Sequence, residues 1–195
     1  YNAVFMVDSS VYASIPFLYG AQITAPPAPA KTGYTFATWS PEFGTMGAQD
    51  KAFTALFLIN SYLATFVVDG QQVSQVLTEY DAQVQAPSTP QKTGYTFTGW
   101  SPLVGNMPAA DTTYTAQFSR NTYQARFEVD GVTIATVPTL FGTQIIPPAA
   151  PEKPGSLFVR WSPAVGIMGA GDRVFTAVWE ENIFDAVFMV DDNIY

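Results

Sequence analysis

The chain has 195 residues, of which 48% are hydrophobic and 15% aromatic, and it carries 8 basic against 16 acidic side chains. This apolar content excludes a disordered tail, and a net charge of −8 excludes a nucleic-acid binder, which needs clustered Lys and Arg to neutralise phosphates. Cys and His are both absent, which excludes thiol nucleophiles, disulfides and Cys/His zinc sites.

A repeat of 61 residues dominates the sequence. Trp39, Trp100 and Trp161 lie 61 residues apart, and Ser-Pro follows each of them. Glycine, methionine, aspartate and asparagine positions recur at the same interval, as in Gly44, Gly105, Gly166, Met46, Met107, Met168, Asp50, Asp111, Asp172, Asn60, Asn121 and Asn182. Because no insertion interrupts the interval, the sequence predicts repeats at 1–61, 62–122 and 123–183, with the first strand of a fourth repeat at 184–195.

The sequence also shows a second, longer repeat. Residues 3–8 and residues 186–191 both read AVFMVD, whereas the second and third repeats differ there. Two interpretations stay open: a block of three repeats itself recurs, or two short strands are similar by chance.

The elements predicted within a repeat are strands. Apolar residues alternate along 62–68 with the period of two that is typical of a half-buried strand. The Asp-Gly pairs at 69–70 and 130–131 have hairpin turn chemistry. The second strand is predicted to lie at a sheet edge or to be bulged, because Pro16 and Pro138 fall in it and proline cannot donate to a ladder.

The rest of each repeat supplies the predicted core. A proline-rich crossing leads to an aromatic run (94–100 in the second repeat), a turn near 107–111 and a last strand at 114–118. The fold class is therefore mainly β (α+β at most), a tandem array of small modules, and connectors of about three residues favour a rod. The predicted core residues are Trp39, Trp100, Trp161, Phe36, Phe97, Phe158, Met46, Met107 and Met168.

The second repeat carries a family signature. It reads PSTPQKTGYTFTGW from Pro87 to Trp100 and MPAADTTYTAQF from Met107 to Phe118. This closely resembles the Listeria–Bacteroides repeat, also called the internalin B-repeat, with its P-x-x-P-x-K-x-G-Y-x-F-x-G-W run and following M-P-x-x-D-x-T segment. The resemblance extends over all three repeats, although Ser156 replaces the tyrosine of the motif in the third.

The resemblance implies a fold and a role. Modules of this family are β-grasp-like, with the first and last strands paired at the sheet centre, and occur in tandem in secreted and surface-attached bacterial proteins. They act as stalks or adhesion spacers and have no catalytic residues or cofactors to carry over. We therefore expect a non-catalytic extracellular array at the cell surface, in an adhesin stalk or a surface filament. The alternative is a repeat module that binds a glycan or a host protein.

Three sets of recurrent polar residues are candidates for chemistry. Asp8, Asp69, Asp130 and Asp191 end the first strand, where a turn residue is a better interpretation than a calcium ligand. Asp50, Asp111 and Asp172 are expected to bond their own backbone or to cap a helical turn. The last set suggests a Lys–Asn isopeptide bond, with plain turn residues as the alternative. Its members are Lys31, Lys92, Lys153, Asn60, Asn121 and Asn182.

The outward face of the first repeat is unusually apolar. In the third repeat the outward residues of the first strand are polar or charged, as expected for a solvated face. Apolar residues stand at these positions in the first repeat and again at the start of the fourth, and such patches mark contacts. We expect this face to bind other copies of the chain or neighbouring repeats through Val4, Met6, Leu56, Leu58, Val187 and Met189.

Overall fold

The computed structural model describes residues 1–183, 189–190 and 193–194. Every regular element among them is a β-strand, which confirms the mainly β prediction. No helix in this part of the chain has the length and apolarity needed to cross a bilayer. Two compact units are present: Tyr1–Thr89 with Gly99–Gln117, and Pro90–Thr98 with the chain from Phe118 onward.

The first repeat forms one four-stranded sheet. Its order is β2-β1-β4-β3, in which the central strands β1 and β4 are parallel and both outer pairs are antiparallel. The first and last strands therefore lie at the sheet centre, as in a β-grasp. The strands are β1 (Asn2–Val7), β2 (Ser10–Pro16), β3 (Tyr34–Ser40) and β4 (Lys51–Ile59).

The second and third repeats form sheets of the same order, β6-β5-β8-β7 and β10-β9-β12-β11. The predicted tandem array of similar modules is thus confirmed, and the second strand of each repeat lies at an edge. The boundaries at 61, 122 and 183 stay a prediction. The strands are β5 (Ser61–Val68), β6 (Gln71–Glu79), β7 (Tyr95–Ser101), β8 (Thr112–Arg120), β9 (Thr122–Val129), β10 (Val132–Leu140), β11 (Ser156–Ser162) and β12 (Arg173–Glu181), and β13 (Met189–Val190) pairs with β14 (Asn193–Ile194).

The first hairpin of the second repeat follows from its turn residues. Val68 pairs with Gln71, which leaves a two-residue loop of Asp69 and Gly70. Both loop residues have positive φ, +48° and +81°, as a type I′ turn requires. Asp130 and Gly131 repeat the arrangement in the third repeat, with φ of +49° and +79°.

Each core is built around a phenylalanine of the central first strand. In the first repeat the Phe5 ring stacks on Phe53 at 5.3 Å and meets Trp39 edge to face at 4.9 Å. Phe66 and Phe127 make the matching contacts in the other two repeats. Such aromatic packing gives a small module without disulfides the buried apolar mass that it needs.

The predicted core residues lie at two depths. The three methionines are each 1% exposed. Trp39 and Trp161 are also buried, whereas Trp100 is half-buried against the core of its repeat. The phenylalanines of the aromatic run are half-buried at the core margin: Phe36, Phe97 and Phe158.

Candidate functional site: the ring-on-glycine junctions

One asparagine separates the last strand of a repeat from the first strand of the next. β4 ends at Ile59 and β5 begins at Ser61, so the connector is Asn60 alone. Asn121 has the same place between β8 and β9. The expected connectors of three residues are therefore too long, because the flanking strands extend further than the sequence pattern indicates.

Asn60 uses its backbone and side chain to join both repeats. Its amide donates to the Gly33 carbonyl at 2.9 Å, and its own carbonyl accepts from the Tyr80 amide at 2.8 Å. The Thr35 hydroxyl donates to Oδ1 at 2.7 Å, and Nδ2 donates to the Tyr62 hydroxyl at 3.5 Å. A connector with this many partners has little conformational freedom.

Gly33 is the surface on which an aromatic ring of the following repeat lies. Gly33 is buried and has φ +77°, and a Cβ added there would overlap the ring of Tyr80. The Tyr34 ring meets the same Tyr80 ring edge to face, with centroids 5.8 Å apart. Glycine is therefore required both for the left-handed backbone and for the close approach of the ring.

The next connector repeats this arrangement with a different ring. The Asn121 amide donates to the Gly94 carbonyl at 2.9 Å, and its carbonyl accepts from the Phe141 amide at 2.9 Å. Gly94 is buried, and a Cβ there would overlap the Phe141 ring, which Tyr95 meets edge to face at 5.8 Å. We call each set of connector asparagine, glycine and docked ring a ring-on-glycine junction.

The recurrent aspartate before the last strand ties the two central strands together. The parallel ladder of β1 and β4 begins at Ala3 and Lys51, and just before it the Asn2 amide donates to Asp50 Oδ1 at 2.6 Å. Asp111 and Asp172 accept in the same way, each at 2.8 Å. These bonds agree with a structural role for the aspartates, but the partner differs from the expected own backbone or helical cap, because the sheet register places the amide of a distant strand beside the carboxylate.

The recurrent lysine lies against aromatic rings beside the hairpin aspartate. Lys31 Nζ is 2.8 Å from Asp8 Oδ1 and 4.8 Å from the centroid of the Tyr34 ring. Lys153 pairs with Asp130 at 2.8 Å in the third repeat. Lysine and connector asparagine thus have different partners in the first repeat, and this arrangement does not support the isopeptide hypothesis.

The described residues contain no group of three or more acidic side chains placed to hold a metal ion. Asp8 contacts Lys31 and has φ +52°, and Asp69 and Asp130 have positive φ too, which is the geometry of turn residues. The structure therefore supports the turn interpretation over calcium binding for these three positions, while Asp191 lies outside the described residues.

The proposed contact face of the first repeat is partly open to solvent. Leu56 is 47% and Leu58 64% exposed, while Val4 and Met6 are half-buried on the central strand. The side chains of Val187 and Met189 lie outside the described residues.

Comparison with known proteins gives the family. The model of the Listeria-Bacteroides repeat domain matches residues 1–54 and 62–119. Internalin H of Listeria monocytogenes is 39% identical over 141 residues, which cover 62% of this chain and 25% of that protein. A protein of Evansella cellulosilytica named as a Gly-rich membrane protein is 29% identical over 199 residues, 87% of this chain and 23% of the relative. The chain thus spans about a quarter of the length of these relatives.

Among solved structures, a pair of Streptococcal High Identity Repeats in Tandem domains from a cell surface protein is similar at 17% identity. The match covers 62% of this chain and 98% of that one, with a TM-score of 0.27. The family match extends over more than half of the chain and agrees with the signature from Pro87 to Trp100. The chain belongs to the Listeria-Bacteroides repeat family.

Proposed function

We propose that this chain is a non-catalytic structural segment of an extracellular bacterial surface protein, forming an adhesin stalk or the body of a surface filament. The observation that carries the proposal is the pair of ring-on-glycine junctions, at Gly33 and Gly94, each with one connector residue. A structural array needs such fixed connections, whereas a set of independent binding modules does not. Membership of the Listeria-Bacteroides repeat family and the similarity to a segment of Internalin H support the same role.

The test is to change the length of the array without changing its surface chemistry. Deleting residues 62–122 from the parent protein removes one period. A structural array predicts that a tip epitope comes closer to the cell wall, while the affinity of the tip for its target stays the same. The matched control replaces 62–122 with a second copy of 1–61, which should restore the original distance. Loss of ligand binding in both variants would contradict the proposal and favour the glycan- or protein-binding alternative.

Lateral association through the apolar face of the first repeat is a second part of the proposal. Leu56 and Leu58 are exposed there, whereas the second repeat has Gln117 and Ser119 at the same positions. Those residues show which polar side chains the strand already tolerates. Leu56→Gln with Leu58→Ser should therefore leave the fold intact and weaken association.

Sedimentation velocity over a range of protein concentrations measures this effect. We expect a concentration-dependent sedimentation coefficient for the native chain and a constant one for the double variant. The matched control is Gln117→Glu, which changes the same position of the second repeat. Equal behaviour of the native chain and the double variant would contradict a role for this face.

A further inference from the structure

The glycine of the third repeat presents an open half of a junction. Gly155 has φ +74°, close to +77° at Gly33 and Gly94, and its carbonyl accepts from the Asn182 amide at 3.0 Å. In contrast to the buried glycines of the other repeats, Gly155 is exposed, and a Cβ there would meet nothing within 4 Å. The backbone is thus arranged for a docked ring that the described residues do not supply.

A depression beside Gly155 fits this interpretation. It has a volume of about 520 Å³, and Pro154 and Ser156, the two neighbours of Gly155, line it together with Leu157. Ser156 replaces the tyrosine that flanks the docked ring in the other repeats. The open position therefore has more room beside the glycine than the filled junctions have.

The first repeat presents the complementary half. Tyr19 holds the place, 61 residues earlier, that Tyr80 has in the second repeat. Tyr80 and Phe141 are half-buried on their glycines, but Tyr19 is 75% exposed. Tyr1, the counterpart of the Tyr62 that accepts from Asn60, is 55% exposed.

We infer that Gly155 is the docking surface for a tyrosine of a fourth repeat that continues from residue 184. Residues 186–191 repeat residues 3–8, so this repeat follows the register of the first, whose docking residue is Tyr19. A first repeat that follows residue 183 brings its Tyr19 to Gly155. Asn182, exposed in this chain, offers the carbonyl that accepts the amide of the docked tyrosine. The inference rests on the proposed function as a structural array, but its test measures amide exchange at one junction alone.

The experiment uses a tandem chain in which residue 183 is followed directly by Tyr1 of a second full copy, which keeps the period of 61. Amide hydrogen exchange then compares the two Tyr19 residues in the same molecule by segmental labelling. The second-copy Tyr19 amide should exchange at least tenfold more slowly than the first-copy one, because it donates to the Asn182 carbonyl as Tyr80 does to Asn60. Equal exchange of the two amides would overturn the inference.

A glycine variant separates this docking from general stabilisation. Gly155→Ala in the first copy should abolish the slow exchange of the second-copy Tyr19. The matched control is Gly142→Ala, because Gly142 has φ +75° and, like Gly155, open space at the Cβ position. It should leave the slow exchange in place. Protection that survives Gly155→Ala, or that is lost equally in both variants, would overturn the role of Gly155 while leaving the three-repeat array and its length test untouched.

Discussion

Gly33 and Gly155 occupy the same position of the first and third repeats and differ by three degrees in φ, yet only one is covered. A Tyr80 ring lies on Gly33, whereas no described residue other than the two chain neighbours lies within 4 Å of the Cβ position of Gly155. The local backbone is therefore fixed by the repeat itself, and burial is supplied by the next repeat along the chain. The comparison teaches that a recurrent glycine in this chain has two roles, a turn conformation that is always needed and a docking surface that depends on the neighbour.

The largest expected effect on the free energy of unfolding comes from adding a side chain at the glycine on which the ring docks. Gly33→Ala should lower the free energy of unfolding of the first repeat by about 3 kcal/mol, since left-handed strain adds to the overlap with Tyr80. Gly155→Ala should lower the free energy of unfolding of the third repeat by only about 1 kcal/mol, because left-handed backbone strain is its single cost. Native-state hydrogen exchange of the Phe5 and Phe127 amides measures the two effects. Gly20→Ala, with φ +78° and open space, is the control within the first repeat. Equal losses for Gly33→Ala and Gly155→Ala would contradict the comparison.

Removing the docked ring is the next largest change. Tyr80→Ala should cost about 2 kcal/mol, because it removes a partly buried ring and its edge contact with Tyr34. Tyr19→Ala, at the open position, should change the free energy of unfolding by less than about 0.5 kcal/mol. Thermal and urea unfolding of both variants test the difference. A large effect of Tyr19→Ala would mean that this ring already has a partner in the isolated chain.

The hydrogen bond of the recurrent aspartate should contribute equally to the free energy of unfolding in the second repeat, whose glycine is covered by a ring, and in the third, whose glycine is open. Asp111→Ala should cost about 1–2 kcal/mol, since the amide of Leu63 loses its charged acceptor. Asp172→Ala should cost the same, because this tie lies within one repeat and does not depend on a neighbouring one. Urea unfolding measures the losses, and Asp111→Asn, which keeps an acceptor oxygen, is the milder control. A smaller loss at Asp172 would show that the open end weakens the whole third repeat.

Among the variants at buried positions, the smallest effect is expected at Trp179 on the last strand of the third repeat. Its indole Nε1 is buried and has no hydrogen-bond partner among the described residues, and the other repeats have Phe57 and Phe118 there. Trp179→Phe should leave the free energy of unfolding within about 1 kcal/mol of native or raise it, because the unpaired donor disappears. A melting temperature several degrees lower would show that the size of the indole matters more than its donor.

The sequence predicts the period, the strands and the edge position of the second strand, because these depend on local alternation, turn residues and Pro16 or Pro138. The core methionines were proposed from their recurrence at the interval of 61 residues, and each is 1% exposed. The ring-on-glycine junctions were missed, since Gly33 and Tyr80 are far apart in the chain and neither is unusual alone. A signal was present: an aromatic residue recurs at Tyr19, Tyr80 and Phe141 with the same interval as the glycines.

Other contacts depend on the register between strands that are distant in sequence. Asp50 reaches the amide of Asn2 only because β1 and β4 are parallel with Ala3 beside Lys51. The recurrence of this aspartate every 61 residues indicated a structural role. No local sequence pattern identifies the strand whose amide donates to its carboxylate. The pairing of Lys31 with Asp8 has the same origin, since it joins a crossing segment to the tip of the first hairpin.

A double-mutant cycle on Gly33 and Tyr80 tests the central claim most directly. If the ring docks on the glycine, Gly33→Ala costs less in the Tyr80→Ala background, because only the backbone strain remains. Native-state hydrogen exchange of the Phe5 amide should then give a coupling free energy of about 2 kcal/mol. A coupling near zero would contradict the account, since it would mean that the two repeats are joined by the connector alone.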